Sequence, residues 1–407
     1  MYAYGKLSSR RKFELVDPTT YSILDYSEAD RVLEEWHDVQ RQAQAIYDTL
    51  SDAAKPAFFE LVYHPVTAGA NYHDIMISAA LNNLYADQGR NSANDIADRV
   101  RELFTKDQQL TKQYHELLNG KWNHMLDQTH IGYSYWQQPM RQVLPPLRYV
   151  ASMERSLVGD LKIAIQGSNA SVPGDDRWHS LGSNALTMNS FDRYGQAQWI
   201  DVFQVGTLPF EWTISANATW LNFAQSSGFL APDDSDVRVW VNVDWENVPD
   251  EQHHLVQVNI SRSEDNSTQY LQKALYGAQF NMPQLWLNIN NTQIPEDFTN
   301  GFVESDSVLS IQLEHWSGIV NDSDAITYEV IPSLTKTGSG VTLSNVAADS
   351  QDVVTGPTLR YTLYTFTEGV NSTNITILTT PSLNRTPHGL FATPFSWMMR
   401  KFKLSNL

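Results

Sequence analysis

Around Pro139 the spacing of the apolar residues changes from the helical repeat to alternation, and no single secondary-structure class serves both halves. Before that point Leu33, Trp36, Ala43, Ile46 and Leu50 recur on one helical face. Ile96, Val100, Leu103, Phe104, Leu110, Tyr114 and Leu117 trace another stripe. Ser27, ahead of Glu28 and three before Asp30, reads as a capping-box-like helix start. A second helix is expected from about Ala53 through His64, with Pro65 kinking or ending it for want of an amide hydrogen. A third covers Asp74 to Gln88 and stops at Gly89; a fourth starts at Ser92 and ends at Asn119-Gly120. Four or five antiparallel helices with short loops make a bundle.

Beyond Pro139 the period is two. LKIAIQGS opens the region, followed by alternating runs at Phe210–Asn217, Val237–Trp245, His254–Ser261, Leu285–Asn291, Leu309–Trp316 and Leu359–Phe366. Runs of this length between Gly, Asn, Asp and Pro turns predict one or two antiparallel β-sandwiches. The expected class is therefore α+β and multidomain: a helical bundle over residues 27–150, then β-sandwich structure over 151–390.

Composition removes several functions. Acidic residues number 46 against 28 basic, a formal charge of −18, which repels phosphate backbones and argues against nucleic-acid partners. The absence of cysteine excludes disulfides, thiolate zinc sites, iron–sulfur clusters and cysteine nucleophiles. No apolar run is long enough for a transmembrane helix, and the opening MYAYGKLSSRRKF lacks the apolar stretch of a secretory signal. No P-loop, dinucleotide-binding glycine fingerprint or G-x-S-x-G elbow is present, and no cofactor is expected. Nine Asn-x-Ser/Thr sequons, at Asn169, Asn217, Asn259, Asn266, Asn290, Asn321, Asn371, Asn374 and Asn384, all fall in the β half. That partition favours an extracellular, glycosylated protein, with a polar composition as the competing explanation.

One segment stands apart. Residues 119–139 read NGKWNHMLDQTHIGYSYWQQP, more polar and aromatic than a bundle requires. Asn123, His124, Asp127, Gln128, His130, Tyr133, Tyr135 and Trp136 together offer hydrogen-bond donors, acceptors and stacking faces. Sugars need that mixture, polar partners for hydroxyls and rings for C–H faces. Two other readings stand beside it. His124, Asp127 and His130 are spaced three apart and would share a helical face as a mononuclear metal site. Alternatively the polar groups satisfy one another as a hydrogen-bonded plug.

The stretch GKWNHMLDQTHIGYSYWQQP resembles a signature of glycoside hydrolase family 115, the xylan α-1,2-glucuronidases. SRRKFELVDPTTYSILDYSEAD, FELVYHPVTAGAN, NNLYADQGRNSANDIADRVRELFTKDQQLTKQYH, WIDVFQVGTLPFEWTISANATWLNF, VNVDWENVP and GFVESDSVLSIQ resemble the same family. The resemblance implies removal of 4-O-methyl-glucuronic acid groups from glucuronoxylan with inversion, by two carboxylates on opposite faces of the bond. It implies that these carboxylates belong to a (β/α)₈ barrel ahead of the bundle. Residues 1–26 then read as the tail of that barrel, no catalytic carboxylate transfers to this chain, and the chain alone is expected to be inactive. The substrate-contacting candidates are His124, Asp127, Gln128, His130, Tyr133, Tyr135 and Trp136; the implied partners are xylan or glucuronoxylan and a second subunit. The segment 391–407, FATPFSWMMRKFKLSNL, departs from the family pattern and is read as a frame-shifted tail.

The competing function is a non-catalytic carbohydrate-binding or dimerising module. Trp178, Trp199, Trp212, Trp220, Trp240, Trp245, Trp286 and Trp316 would serve it if displayed, although inward tryptophans of a sandwich core are the commoner case. Asp244, Glu246 and Asp250 read as a solvated turn, and Glu304 with Asp306 as strand residues without a catalytic role.

Overall fold

The structure, a computed structural model, describes residues 1–152, 160–173, 185–262, 284–321, 326–332, 334–335, 338–344, 355–367 and 374–378. Trp178, Asn266, Asn371, Asn384 and the tail 391–407 lie outside the described residues.

Helices α1 (Tyr2–Ser9), α2 (Glu28–Thr49), α3 (Lys55–Phe58), α4 (His64–Asp87) and α5 (Ala93–Gly120) precede every strand. Helix α2 starts where expected, but not by a capping box. Ser27 sits in the left-handed region at φ 49° and its side chain caps nothing, while the Glu28 carboxylate accepts the Ser22 amide at 2.9 Å. The expected break at Pro65 is absent. A π-helical turn, Phe59–Tyr63, joins α3 to α4, so the second and third expected helices run on as one. The wider turn accommodates the proline's missing donor and its ring. Gly89 ends α4 at φ +73°, as anticipated for a C-cap glycine.

The bundle core gathers Leu7, Val32, Trp36, Ala70, Ile75, Val100 and Ile131. Trp36 is fully buried and stacks on His73, centroids 4.6 Å apart. Gly69 makes that packing possible: a Cβ there would lie 2.7 Å from the Trp36 ring.

Two five-stranded sheets follow. The first orders β2 (Ser171–Val172), β1 (Leu161–Ile165), β4 (Gln198–Gln204), β8 (Val237–Val243) and β6 (Leu221–Phe223). The second orders β3 (Ala185–Thr187), β10 (Gln284–Asn290), β9 (His253–Arg262), β5 (Phe210–Ala216) and β7 (Ser227–Leu230). All these pairings are antiparallel except β3 with β10. Ile163, Ile200, Val202 and Val239 of one sheet meet Trp212, Ile214, Val258, Ile260, Leu285 and Leu287 of the other in a single core.

Strand β4 is buried at every position because both its faces are covered. Ile200 and Val202 face the sandwich core. The opposite face carries Asp201 and Phe203, which receive Arg90 from the α4–α5 turn. The Arg90 guanidinium bonds Asp201 at 3.0 Å and Asp236 at 2.7 Å, and lies over the rings of Tyr85 and Phe203. Burial raises the Asp236 pKa, and Arg90 opposes that rise. Asn91 adds bonds to the carbonyls of Gly206 and Pro232. The helices and sandwich are thus joined through one buried ionic knot within a unit that spans Met1–Gln293.

Among the described residues of the second unit, Ile294–Leu407, are three short two-stranded pairings: Phe302–Val303 with Leu363–Tyr364, Gly318–Val320 with Thr358–Arg360, and Tyr328–Ile331 with Gly340–Leu343. The expected strand Leu309–Trp316 does not form. Among the described residues its alternation has no partner strand, and Glu314 instead accepts the Ser339 amide at 2.9 Å. Glu304 is buried and accepts the amides of Phe366 and Thr367, a structural clamp.

Among the tryptophans, Trp212 and Trp220 are buried in the sandwich core, as expected, whereas Trp199 is buried on the other face of β4, under the Arg238 guanidinium. Trp245, Trp286 and Trp316 are half-buried, and Trp240 is exposed. Asp244 closes its turn by accepting from the Asn247 amide group at 2.8 Å.

Candidate functional site

Helix α5 ends through a run of left-handed residues. Leu118 (φ 51°), Asn119 (φ 58°) and Gly120 (φ 84°) reverse the chain, and His124 (φ 70°) repeats the conformation. Such backbone is unfavourable for residues with a Cβ and, outside glycine, gathers at functional places. The reversal lays residues 121–143 back against α5. The Leu126 amide donates to His115 Nε2 at 3.0 Å, and the Val143 amide to the Ile131 carbonyl at 3.1 Å. Gly132, at φ +105°, lies so near Val143 that a Cβ would come within 2.9 Å of it.

His130 is the pin of this loop. Its Nε2 donates to Asp107 Oδ1 at 2.9 Å, and Asp107 is buried on α5. Its Nδ1 lies 3.0 Å from Gln142 Nε2 and 3.3 Å from the Gln128 carbonyl. A neutral ring accepts from the first, and a charged ring donates to the second. Gln142 Oε1 also accepts the amides of His130 and Ile131. Burial alone would lower the His130 pKa; the Asp107 hydrogen bond and charge outweigh it and hold the imidazole above its ordinary range. Nearby His64 is pushed down to about 4, chiefly by burial.

His124 donates to Asp127 at 2.7 Å, and His115 stands 3.7 Å from the other Asp127 oxygen. The Gln128 amide reaches the Tyr133 hydroxyl at 3.3 Å. Tyr135 and Trp136 are 62% and 82% exposed, and the Tyr135 hydroxyl reaches Gln137 Oε1 at 3.5 Å. Between α5 and the loop lies an open cleft of about 780 Å³, with Asp107, Thr111, His115, Asn119, Asn123 and Asp127 in its lining.

The shared helical face that a metal site would use is not formed: residues 121–126 are a turn, with His124 at φ 70°. His124 and Asp127 pair with each other, His130 turns to Asp107, and the described residues contain no group of three His, Asp or Glu placed to hold a metal ion. The polar-plug reading describes His130 and Gln142 well. It leaves Tyr135, Trp136 and the cleft unexplained.

Asp107, His115 and Gln142 were not among the sequence candidates. Asp107, Thr111 and His115 recur every four residues along α5, so a polar stripe beside the apolar one was the available signal.

Residues 301–397 match the glycosyl hydrolase family 115 C-terminal domain. The matched segment falls within the second unit. No curated protein matches this chain. Among solved structures, similarity extends to "a novel family GH115 4-O-methyl-alpha-glucuronidase, BtGH115A, with specificity for decorated arabinogalactans", at 12% identity and TM-score 0.26. That alignment covers 59% of this chain and 36% of the other, so this chain spans about a third of the glucuronidase's length. The PapD-like domain 7 of human CEP192 aligns at 9% identity and TM-score 0.21, over 38% of this chain and 99% of that domain. The C. elegans MSP family member WR4 aligns at 12% identity and TM-score 0.17, over 25% and 89%.

Proposed function

We propose that this chain supplies the helical and β-rich parts of a family 115 α-glucuronidase acting on glucuronoxylan, and that residues 121–139 are its polysaccharide contact. The family match supports the origin; the exposed Trp136, on a loop held by the Asp107–His130 bond, carries the assignment of the contact. An indole this exposed costs solvation unless a partner covers it, and the C–H face of a pyranose is such a partner.

Roles within the loop divide by engagement. Trp136 and Tyr135 present faces, while Asp127, His124 and Gln128 keep exposed polar atoms for hydroxyls. Tyr133 is held by Gln128, and His130 positions the loop through Asp107. None of these groups is assigned as the glycosidic acid or base, and the isolated chain is proposed to bind without hydrolysing. An extracellular location fits the sequons, because Asn169, Asn217, Asn259, Asn321 and Asn374 are exposed. Asn290 is half-buried, with its side chain held by His253 at 2.6 Å.

The test is kinetic. In a full-length family enzyme, replacing the tryptophan that corresponds to Trp136 with Ala should lower kcat/KM on glucuronoxylan about tenfold or more. Unchanged kinetics with a lowered Tm would contradict the contact.

A further inference from the structure

The cleft beside α5 has a charge balance that selects among carbohydrates. Its lining brings three carboxylates, Asp107, Glu116 and Asp127, against one ammonium, Lys112. No arginine is among the lining residues. Asp107 is engaged by His130, Asp127 by His124, and Glu116 lies 3.7 Å from Lys112, so that one cation is shared already. The rest of the lining carries no fixed charge: Thr111, Asn119, Asn123, Thr129 and Gln142 can hydrogen-bond, with the His115 imidazole and the apolar Leu126 beside them. A guanidinium or ammonium free to pair with it is the strongest partner for a uronate carboxylate. A neutral pyranose requires only acceptors and donors for its hydroxyls, and carboxylates are the strongest acceptors for them.

We propose that this cleft binds neutral segments of a polysaccharide main chain and repels the uronate side groups. The assignment rests on the reading of residues 121–139 as a carbohydrate contact, and it adds which sugars that contact accepts. The enzyme would hold the substrate by its undecorated stretch here and leave the charged group to be handled elsewhere.

Calorimetry on the full chain at about pH 7.5 tests this with two probes of equal main-chain length, xylohexaose and its 4-O-methyl-glucuronate-bearing counterpart. The expected result is binding of the neutral chain and at least about tenfold weaker binding of the uronated one. Glu116→Lys, which reverses one charge of the lining, should close most of that gap. Equal or tighter binding of the uronated probe overturns the charge selection and leaves the carbohydrate contact standing. A gap that Glu116→Lys does not change places the discrimination outside this cleft and also overturns the proposal. Binding of neither probe removes the carbohydrate contact itself, and the selection with it.

Discussion

Asp107 and His130 are 23 residues apart in sequence and 2.9 Å apart in space, and that bond fixes the loop against helix α5. Because Asp107 raises the His130 pKa above its value in an unfolded chain, the stabilisation is complete below the ordinary imidazole range. It is lost as pH rises through the raised folded value. An NMR titration of His130 should therefore give a midpoint above about 6.5, and Asp107→Asn should bring it down. An unmoved midpoint would show that the contact is not electrostatic.

Arg90 offers a second prediction. Removing it, as in Arg90→Met, leaves Asp236 buried without its guanidinium while Asp201 keeps Arg238 at 2.9 Å, and the lost pair costs about 3–5 kcal/mol. Arg90→Lys should recover little, because one ammonium cannot both span two carboxylates and stack between Tyr85 and Phe203. Denaturant unfolding of both variants measures this.

At Gly69 the usual propensity argument reverses sign. Alanine is favoured over glycine in an exposed helix interior by about 1 kcal/mol. Here the added methyl meets the buried Trp36 ring at 2.7 Å, so Gly69→Ala should destabilise by about 1–3 kcal/mol. A raised Tm would contradict the close approach.

His73 predicts an acid limb. It is 1% exposed, and burial lowers its pKa to about 4. The unfolded chain therefore binds a proton that the folded one refuses between about pH 6.5 and pH 4, and stability falls as pH drops through that window. The loss is on the order of 3 kcal/mol. His73→Phe should flatten that limb of the stability curve, measured by urea unfolding at several pH values.

The helical stripe was legible because Trp36, Val100 and Leu110 are inward at the expected period, and the sandwich because Trp212, Ile214, Val258 and Ile260 alternate. What escaped depended on contacts distant in sequence. Leu309–Trp316 alternates like a strand but pairs with no strand among the described residues. Pro65 stays inside a helical run because a π turn receives it. For the site, the motif 121–139 was conspicuous, yet its anchors Asp107, His115 and Gln142 were not. Their roles exist only after Leu118, Asn119 and Gly120 turn the chain back onto α5.

The most direct measurement is a pull-down of the full chain on insoluble glucuronoxylan, beside Trp136→Ala. Trp136 is 82% exposed, so its loss leaves the core intact and the thermal midpoint within a degree or two is the expected control. The expected result is retention of the native chain and at least about tenfold weaker retention of the variant. Equal retention of both, or retention of neither, would contradict the assignment of residues 121–139 as the polysaccharide contact.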